Sequence, residues 1–103
     1  MKRKGSSSLT SKLEDEVSLL KRHVEMLKGI MENQPIGIIR LAELLMYPQH
    51  KVRYSLRIFE QEGLIEPSPD GAVTTEKLND FLNHLRDVLD STSRTVKELR
   101  TSL

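Results

Sequence analysis

Residues 38–63 contain two short amphipathic runs that meet at a sharp break, and this stretch constrains the fold more than any other. The break is the tripeptide Met46-Tyr47-Pro48. In both runs the apolar residues recur at helical spacing, namely Ile38, Leu41, Leu44 and Leu45 in the first and Val52, Leu56 and Phe59 in the second. We therefore predict two short helices that are joined by a tight turn.

The second run is cationic on the side that lies away from its apolar face. The residues of this side and its flanks are His50, Lys51, Arg53, Tyr54, Arg57 and Gln61. No acidic residue occurs between Gln49 and Phe59. A helix with one apolar side and one cationic, hydrogen-bonding side suits the groove of a polyanion such as DNA. We predict that this helix spans residues 49–62 and contacts nucleic acid.

Together with the segment that follows it, the stretch resembles a winged helix-turn-helix over residues 34–78. Ala42 fits the small position where the two helices approach closely, and Val52 fits the apolar position that anchors the second helix. The Gly-Leu-Ile at 63–65, a short turn and a return strand are typical of the winged family. The resemblance extends to small archaeal winged-helix proteins that are predicted transcriptional regulators. One departure is Met46, which stands where many helix-turn-helix sequences have a turn glycine.

The resemblance implies a mainly α fold, with a winged helix-turn-helix at 34–74, a small two-stranded wing, and long coiled-coil-like helices on both sides. It also implies a homodimeric transcriptional regulator that binds double-stranded DNA sequence-specifically, with helix 49–62 in the major groove. The residues predicted to contact DNA are Arg40, Gln49, His50, Lys51, Arg53, Tyr54 and Arg57. Winged helices also serve as protein–protein interaction modules in transcription and chromosome-organisation assemblies, and that alternative stays open.

The predicted wing is small and lacks positive charge. Its strands are expected at 64–66 and 72–74, on either side of the turn Ser68-Pro69-Asp70-Gly71, in which proline presets φ and glycine tolerates a positive φ. The wing contains Glu66 and Asp70 but no lysine or arginine. In many members of the family a basic wing reaches DNA, and here we expect the wing to contribute little to binding.

Before this domain, residues 9–33 are predicted to form a long helix with a heptad seam. Its apolar residues are Leu13, Val17, Leu20, Val24, Leu27 and Met31, spaced 4, 3, 4, 3 and 4 residues apart. Ser11 is the expected N-cap, with Glu14 as its capping-box partner. The end of this helix is expected to belong to the winged domain too, and Gly29 to mark a kink between the two roles.

After the domain, residues 75–103 are predicted to form a second long helix with the seam Leu78, Leu82, Leu85, Leu89, Thr92, Val96, Leu99 and Leu103. Two such seams predict a homodimer. The predicted interface residues are Leu13, Val17, Leu20, Val24, Leu27, Leu82, Leu85, Leu89, Val96 and Leu99. The alternatives are an antiparallel hairpin of the two helices within one chain, and an N-terminal helix that simply lies on its own domain.

Composition agrees with a small core and exposed helices, since 37% of the 103 residues are hydrophobic and 30% are charged. Residues 1–8, MKRKGSSS, are predicted to be a disordered basic tail. The absence of cysteine and of any membrane-length apolar run predicts a cytoplasmic protein, and the predicted DNA binding implies that it is nucleoid-associated.

The sequence contains no motif that indicates catalysis. It has no glycine-rich phosphate loop and no cysteine nucleophile, and its three histidines lack metal-ligand spacing. We therefore expect no enzyme activity, no metal, no cofactor and no small-molecule substrate. His50 is a predicted phosphate or base contact, whereas His23 and His84 are expected to be exposed positions on the long helices.

Overall fold

The computed structural model describes residues 7–103, which form a mainly helical chain with four helices and one small antiparallel sheet. In chain order the elements are α1 Ser8–Asn33, α2 Ile38–Leu45, α3 Gln49–Gln61, β1 Ile65–Ser68, β2 Gly71–Thr74 and α4 Leu78–Ser102. This arrangement is consistent with a winged-helix-like fold. Within residues 7–103, no helix combines the length and the apolar character that a membrane span needs.

α1 begins earlier than the sequence pattern predicts. Ser7 is its N-cap: the Ser7 hydroxyl accepts a hydrogen bond from the Thr10 backbone N–H, and the Thr10 hydroxyl accepts one from the Ser7 N–H, both at 3.2 Å. The predicted cap at Ser11 is therefore wrong, and the Ser11 hydroxyl instead donates to the Ser7 carbonyl at 2.9 Å. The predicted tail lies outside the described residues as far as residue 6, while Ser8 already belongs to the helix.

Gly29 allows α2 to pack closely against α1. A Cβ atom at Gly29 would lie 2.9 Å from Leu41 Cδ1 and 3.3 Å from Leu45 Cδ1, so α2 side chains fill the space next to this glycine. The expected kink is replaced by an uninterrupted helix that continues to Asn33. Close packing offsets the cost of about 1 kcal/mol that glycine carries relative to alanine inside a helix.

The turn between α2 and α3 uses Met46 where glycine is common. Met46 has a left-handed backbone, with φ 59° and ψ 41°, and its side chain is 89% exposed. The Tyr47 backbone N–H donates to the Ala42 carbonyl at 3.1 Å, which closes the end of α2. The Tyr47 hydroxyl donates to Glu25 Oε1 of α1 at 2.5 Å, and this hydrogen bond is the main reason that the pKa of Tyr47 is raised. The turn is thereby tied to α1.

Gly63 ends α3 and directs the chain into the hairpin. It has a φ of 75°, and its N–H donates to the Glu60 carbonyl at 3.0 Å. The Leu64 N–H donates to the Phe59 carbonyl at 2.9 Å. These two hydrogen bonds form the Schellman motif that the glycine permits. α3 therefore ends at Gln61, one residue before the predicted end at 62.

The β-hairpin is extended by one residue from outside it. β1 and β2 pair in an antiparallel register that runs from Ile65 opposite Thr74 to Ser68 opposite Gly71. Ile36, which precedes α2, exchanges two backbone hydrogen bonds with Ala72, at 3.2 and 2.8 Å. The segment between α1 and α2 thus lies along the hairpin and holds it against the helices.

All four helices and β1 contribute buried residues to the hydrophobic core, and Ala72 of β2 packs against this core. Its buried residues are Met26, Leu27, Ile30, Ile36, Leu41, Ala42, Val52, Leu56, Phe59, Leu64, Ile65 and Leu78. The second half of α1 thus serves the domain, as the sequence analysis expected. Leu27 is only 2% exposed within the single chain, so it belongs to this core and is not available as a dimer contact.

The outer parts of α1 and α4 are not covered by the rest of the chain. α4 packs against the core through Leu78, Phe81 and Leu82, and every residue from 86 to 103 is exposed. On α1, Leu13 and Val17 are 64% and 59% exposed. The two helices do not pack along their lengths, so the intramolecular hairpin that the seams allowed does not form.

Candidate nucleic-acid interface

Seven side chains predicted to contact DNA form one surface, which we call the cationic face. Its members are Arg40, Gln49, His50, Lys51, Arg53, Tyr54 and Arg57, all of them exposed. Val52, Leu56 and Phe59 anchor the other side of α3 in the core. Because apolar and polar residues alternate at helical spacing, burial of one side directs the other side outward.

The cationic face contains two adjoining concavities. The α1–α3 concavity has a volume of about 530 Å³ and is lined by Arg22, His50, Lys51, Arg53, Tyr54 and Arg57. The α2–α3 concavity has a volume of about 400 Å³ and is lined by Gly37, Ile38, Ile39, Arg40, Gln49 and Arg53. Arg53 lines both, and neither is lined by an acidic residue. The linings of both concavities therefore carry positive charge and no negative charge.

His23 connects α1 to this surface, and its predicted exposure is wrong. Its Nδ1 atom lies 2.9 Å from the hydroxyl of Ser55, a fully buried residue of α3. Its ring stacks on Tyr54, with 6.1 Å between centroids and 25° between planes, and meets the edge of Phe59 at 5.5 Å. Burial, and secondly the charge of Arg22, lower the pKa of His23. The heptad pattern predicts that His23 is exposed to solvent, because the pattern describes α1 alone and not its packing against α3.

Arg22 is a member of the α1–α3 concavity that the sequence analysis missed. It is half-buried, and its Nε atom is inaccessible and has no hydrogen-bond partner among the described residues. α1 reaches α3 only through tertiary packing, so no periodicity within α3 could indicate this residue. The one available signal was its position next to His23 in a helix that must pack against the domain.

The hairpin offers no positive charge to this surface. Glu66 of β1 and Asp70 of the turn are both exposed, and no lysine or arginine lies between residues 64 and 74. The Ser68 hydroxyl donates to the Gly71 carbonyl at 2.6 Å, which holds the turn. The tip of the hairpin is therefore ordered and acidic.

The comparisons with known proteins bear on the fold alone. No protein-family model matches the chain, and no curated protein matches it. Among solved structures, the chain is similar to a protein of unknown function from Listeria innocua Clip11262, with a TM-score of 0.52 and 16% sequence identity. That match covers 92% of this chain and 89% of the other. The similarity therefore extends to the long helices as well as to the domain between them.

Proposed function

We propose that the protein is a homodimeric transcriptional regulator that binds double-stranded DNA sequence-specifically, as a winged helix-turn-helix with α3 in the major groove. The observation that carries the proposal is the cationic face, in which two concavities share Arg53 and have no acidic lining. Duplex DNA carries one negative charge per roughly 1.7 Å of its axis, and its major groove admits an α-helix. A helix that is apolar on one side and acid-free on the other matches both properties.

The proposed contacts divide into those that read bases and those that hold the backbone. His50, Arg53, Tyr54 and Arg57 reach base edges or flanking phosphates from α3. Lys51 and Arg40 contact the backbone. Arginine paired with guanine is the commonest specific contact in the major groove, and the Tyr54 ring stacks on His23 of α1. In this proposal the β-hairpin is the wing and contributes little, because Glu66 and Asp70 repel phosphate.

The proposed dimer rests on the uncovered seams of α1 and α4. Val96 and Leu99 of α4 are 46% and 60% exposed in the single chain, and Leu13 and Val17 of α1 are exposed to a similar degree. Seams of this kind gain stability when a second helix removes them from water. A second copy of the chain can cover both seams at once, because it carries the same two seams.

The charges beside the two seams also favour a second copy. The first half of α1 carries three consecutive acidic residues at 14–16, and the last half of α4 carries Arg94, Lys97 and Arg100 with a single acidic residue, Glu98. If α4 of one protomer packs on α1 of its partner, segments of opposite net charge lie side by side. The dimer would link two copies of α3.

Alanine substitution of the α3 residues that are proposed to contact bases tests the proposed function. The triple variant Arg53→Ala, Tyr54→Ala and Arg57→Ala should lose most duplex affinity, since each base-reading arginine contributes roughly 1–3 kcal/mol. The double variant Lys12→Ala and Lys28→Ala removes two positive charges from exposed positions of α1 and is the matched control. Fluorescence anisotropy with a selected duplex measures both. If the triple variant binds every duplex as the wild type does, α3 is not a reader, and the protein-interaction alternative gains support.

A further inference from the structure

The α1–α3 concavity has one lining residue that does not come from α3. Arg22 precedes His23, whose contacts with Ser55 and Tyr54 fix this part of α1 against α3. The backbone of Arg22 is therefore held at a set distance from the cationic face.

The guanidinium of Arg22 has one buried donor, its Nε–H, with no acceptor among the described residues. The Nε atom is buried and unpartnered, whereas a guanidinium carries five N–H donors in a fixed fork. The other lining residues are three cations, Lys51, Arg53 and Arg57, together with His50 and Tyr54. None of the three cations can accept a hydrogen bond from arginine, and an anion that enters the concavity meets their accumulated charge together with the terminal N–H groups of Arg22.

We propose that Arg22 contacts a backbone phosphate of the duplex at the edge of the groove that α3 enters, so that α1 forms part of the DNA-binding surface. The inference rests on the proposed function and adds a residue to it. Arginine pairs with phosphate oxygens through two parallel N–H···O hydrogen bonds. Phosphate contacts set the register and orientation of a protein on DNA but do not read its sequence. Arg22 therefore positions α3.

Arg22→Gln tests the inference by its salt dependence. Because the variant loses one phosphate contact in each protomer, affinity should fall to a similar extent on specific and random duplexes. The slope of log affinity against log salt should become shallower by about 0.9 for each protomer bound. Lys21→Gln removes the same charge from the adjacent exposed position and should leave affinity and slope near wild type. Arg22→Lys keeps the charge and loses the fork, so it should keep the slope while losing part of the affinity.

The possible outcomes separate this inference from the proposed function. If Arg22→Gln binds as the wild type does while Arg57→Ala is weakened, Arg22 is not a DNA contact and the proposed function stands. If the wild type binds no duplex, the proposed function fails and the inference fails with it. Thermal unfolding of the wild type with inorganic phosphate, without DNA, separates the two sources of the anion. If phosphate stabilises the wild type but not Arg22→Gln, and the variant binds DNA as the wild type does, the site binds free phosphate. That result would overturn the inference.

Discussion

At the scale of single residues, Gly71 determines how closely the hairpin approaches the segment before α2. Its φ of 131° lies in a region that L side chains rarely adopt, and a Cβ atom there would lie 2.5 Å from the carbonyl carbon of Ile36. That contact is with backbone, which cannot rotate away as a side chain can. The close approach permits the pairing of Ile36 with Ala72 that joins the hairpin to the core.

Gly71→Ala should therefore destabilise the fold strongly, by about 2 kcal/mol or more, because a positive φ and a backbone clash both oppose it. Gly37→Ala is the matched control, since a Cβ atom there meets nothing within 4 Å. Gly37→Ala should lower the free energy of unfolding by about 1 kcal/mol or less, because it replaces a favourable N-cap residue of α2. Urea unfolding of the two variants measures the difference. Equal costs would contradict this account of the hairpin.

His23 should make stability depend on pH. Its pKa is lowered in the folded chain, by burial and then by Arg22, so below about pH 6.5 the unfolded chain binds more protons than the folded chain. The free energy of unfolding should therefore fall as the pH decreases from about 6.5 toward the lowered pKa of the folded state. His23→Gln should lose this part of the pH dependence, whereas His84→Gln, at an exposed position, should retain it. Urea unfolding across this pH range measures the free energy of unfolding of both variants. If His23→Gln keeps the same pH dependence as His84→Gln, the account of His23 is wrong.

At the scale of elements, the sequence predicts the role of a residue where that role is set within one helix. It does not predict a role that depends on how two helices pack. The amphipathic pattern of 49–59 predicts both the burial of Val52 and the exposure of Arg57, because the two faces belong to one helix. The roles of Arg22 and His23 depend on where α1 crosses α3, and no local pattern contains that crossing. Leu27 illustrates the same limit: its heptad position fits a coiled coil as well as it fits the domain core to which it belongs.

The hairpin is the element whose contribution to binding is most easily changed. Asp70 is exposed at its turn, and in the proposed complex it repels phosphate. Asp70→Lys should raise affinity for random duplexes and steepen the salt slope by about 0.9 for each protomer, because one repulsive charge becomes a phosphate contact. Glu32→Lys makes the same change of charge at an exposed position of α1. If the two variants bind alike, the hairpin does not approach DNA.

At the scale of the whole molecule, the exposed seams connect assembly with DNA binding. A C2 dimer that buries them holds two copies of α3 in one particle, as two half-sites about 34 Å apart require. Linkage of the two copies raises the effective concentration of the second contact once the first has formed. Each α3 alone should therefore bind duplex DNA more weakly than the pair.

Val96→Asp should dissociate the dimer without unfolding the domain. Val96 lies on the part of α4 in which every residue is exposed, so the variant charges a position that becomes desolvated in the proposed dimer, at a cost of several kcal/mol. Ser91→Asp adds the same charge away from the seam. Sedimentation should give twice the protomer mass of 11.8 kDa for the wild type and Ser91→Asp, and the protomer mass for Val96→Asp. A wild-type chain that sediments as a monomer at tens of micromolar would contradict the dimer.

The central claim is that the cationic face binds the DNA backbone, and a salt titration of the wild-type chain on random duplex DNA tests it most directly. A dimer that contributes at least two phosphate contacts from each protomer should give a slope of log affinity against log salt of about −3.6 or steeper. Binding should be tightest at the lowest salt concentration and should weaken steadily as salt is added. No binding at low salt, or binding whose slope is near zero, would contradict the account.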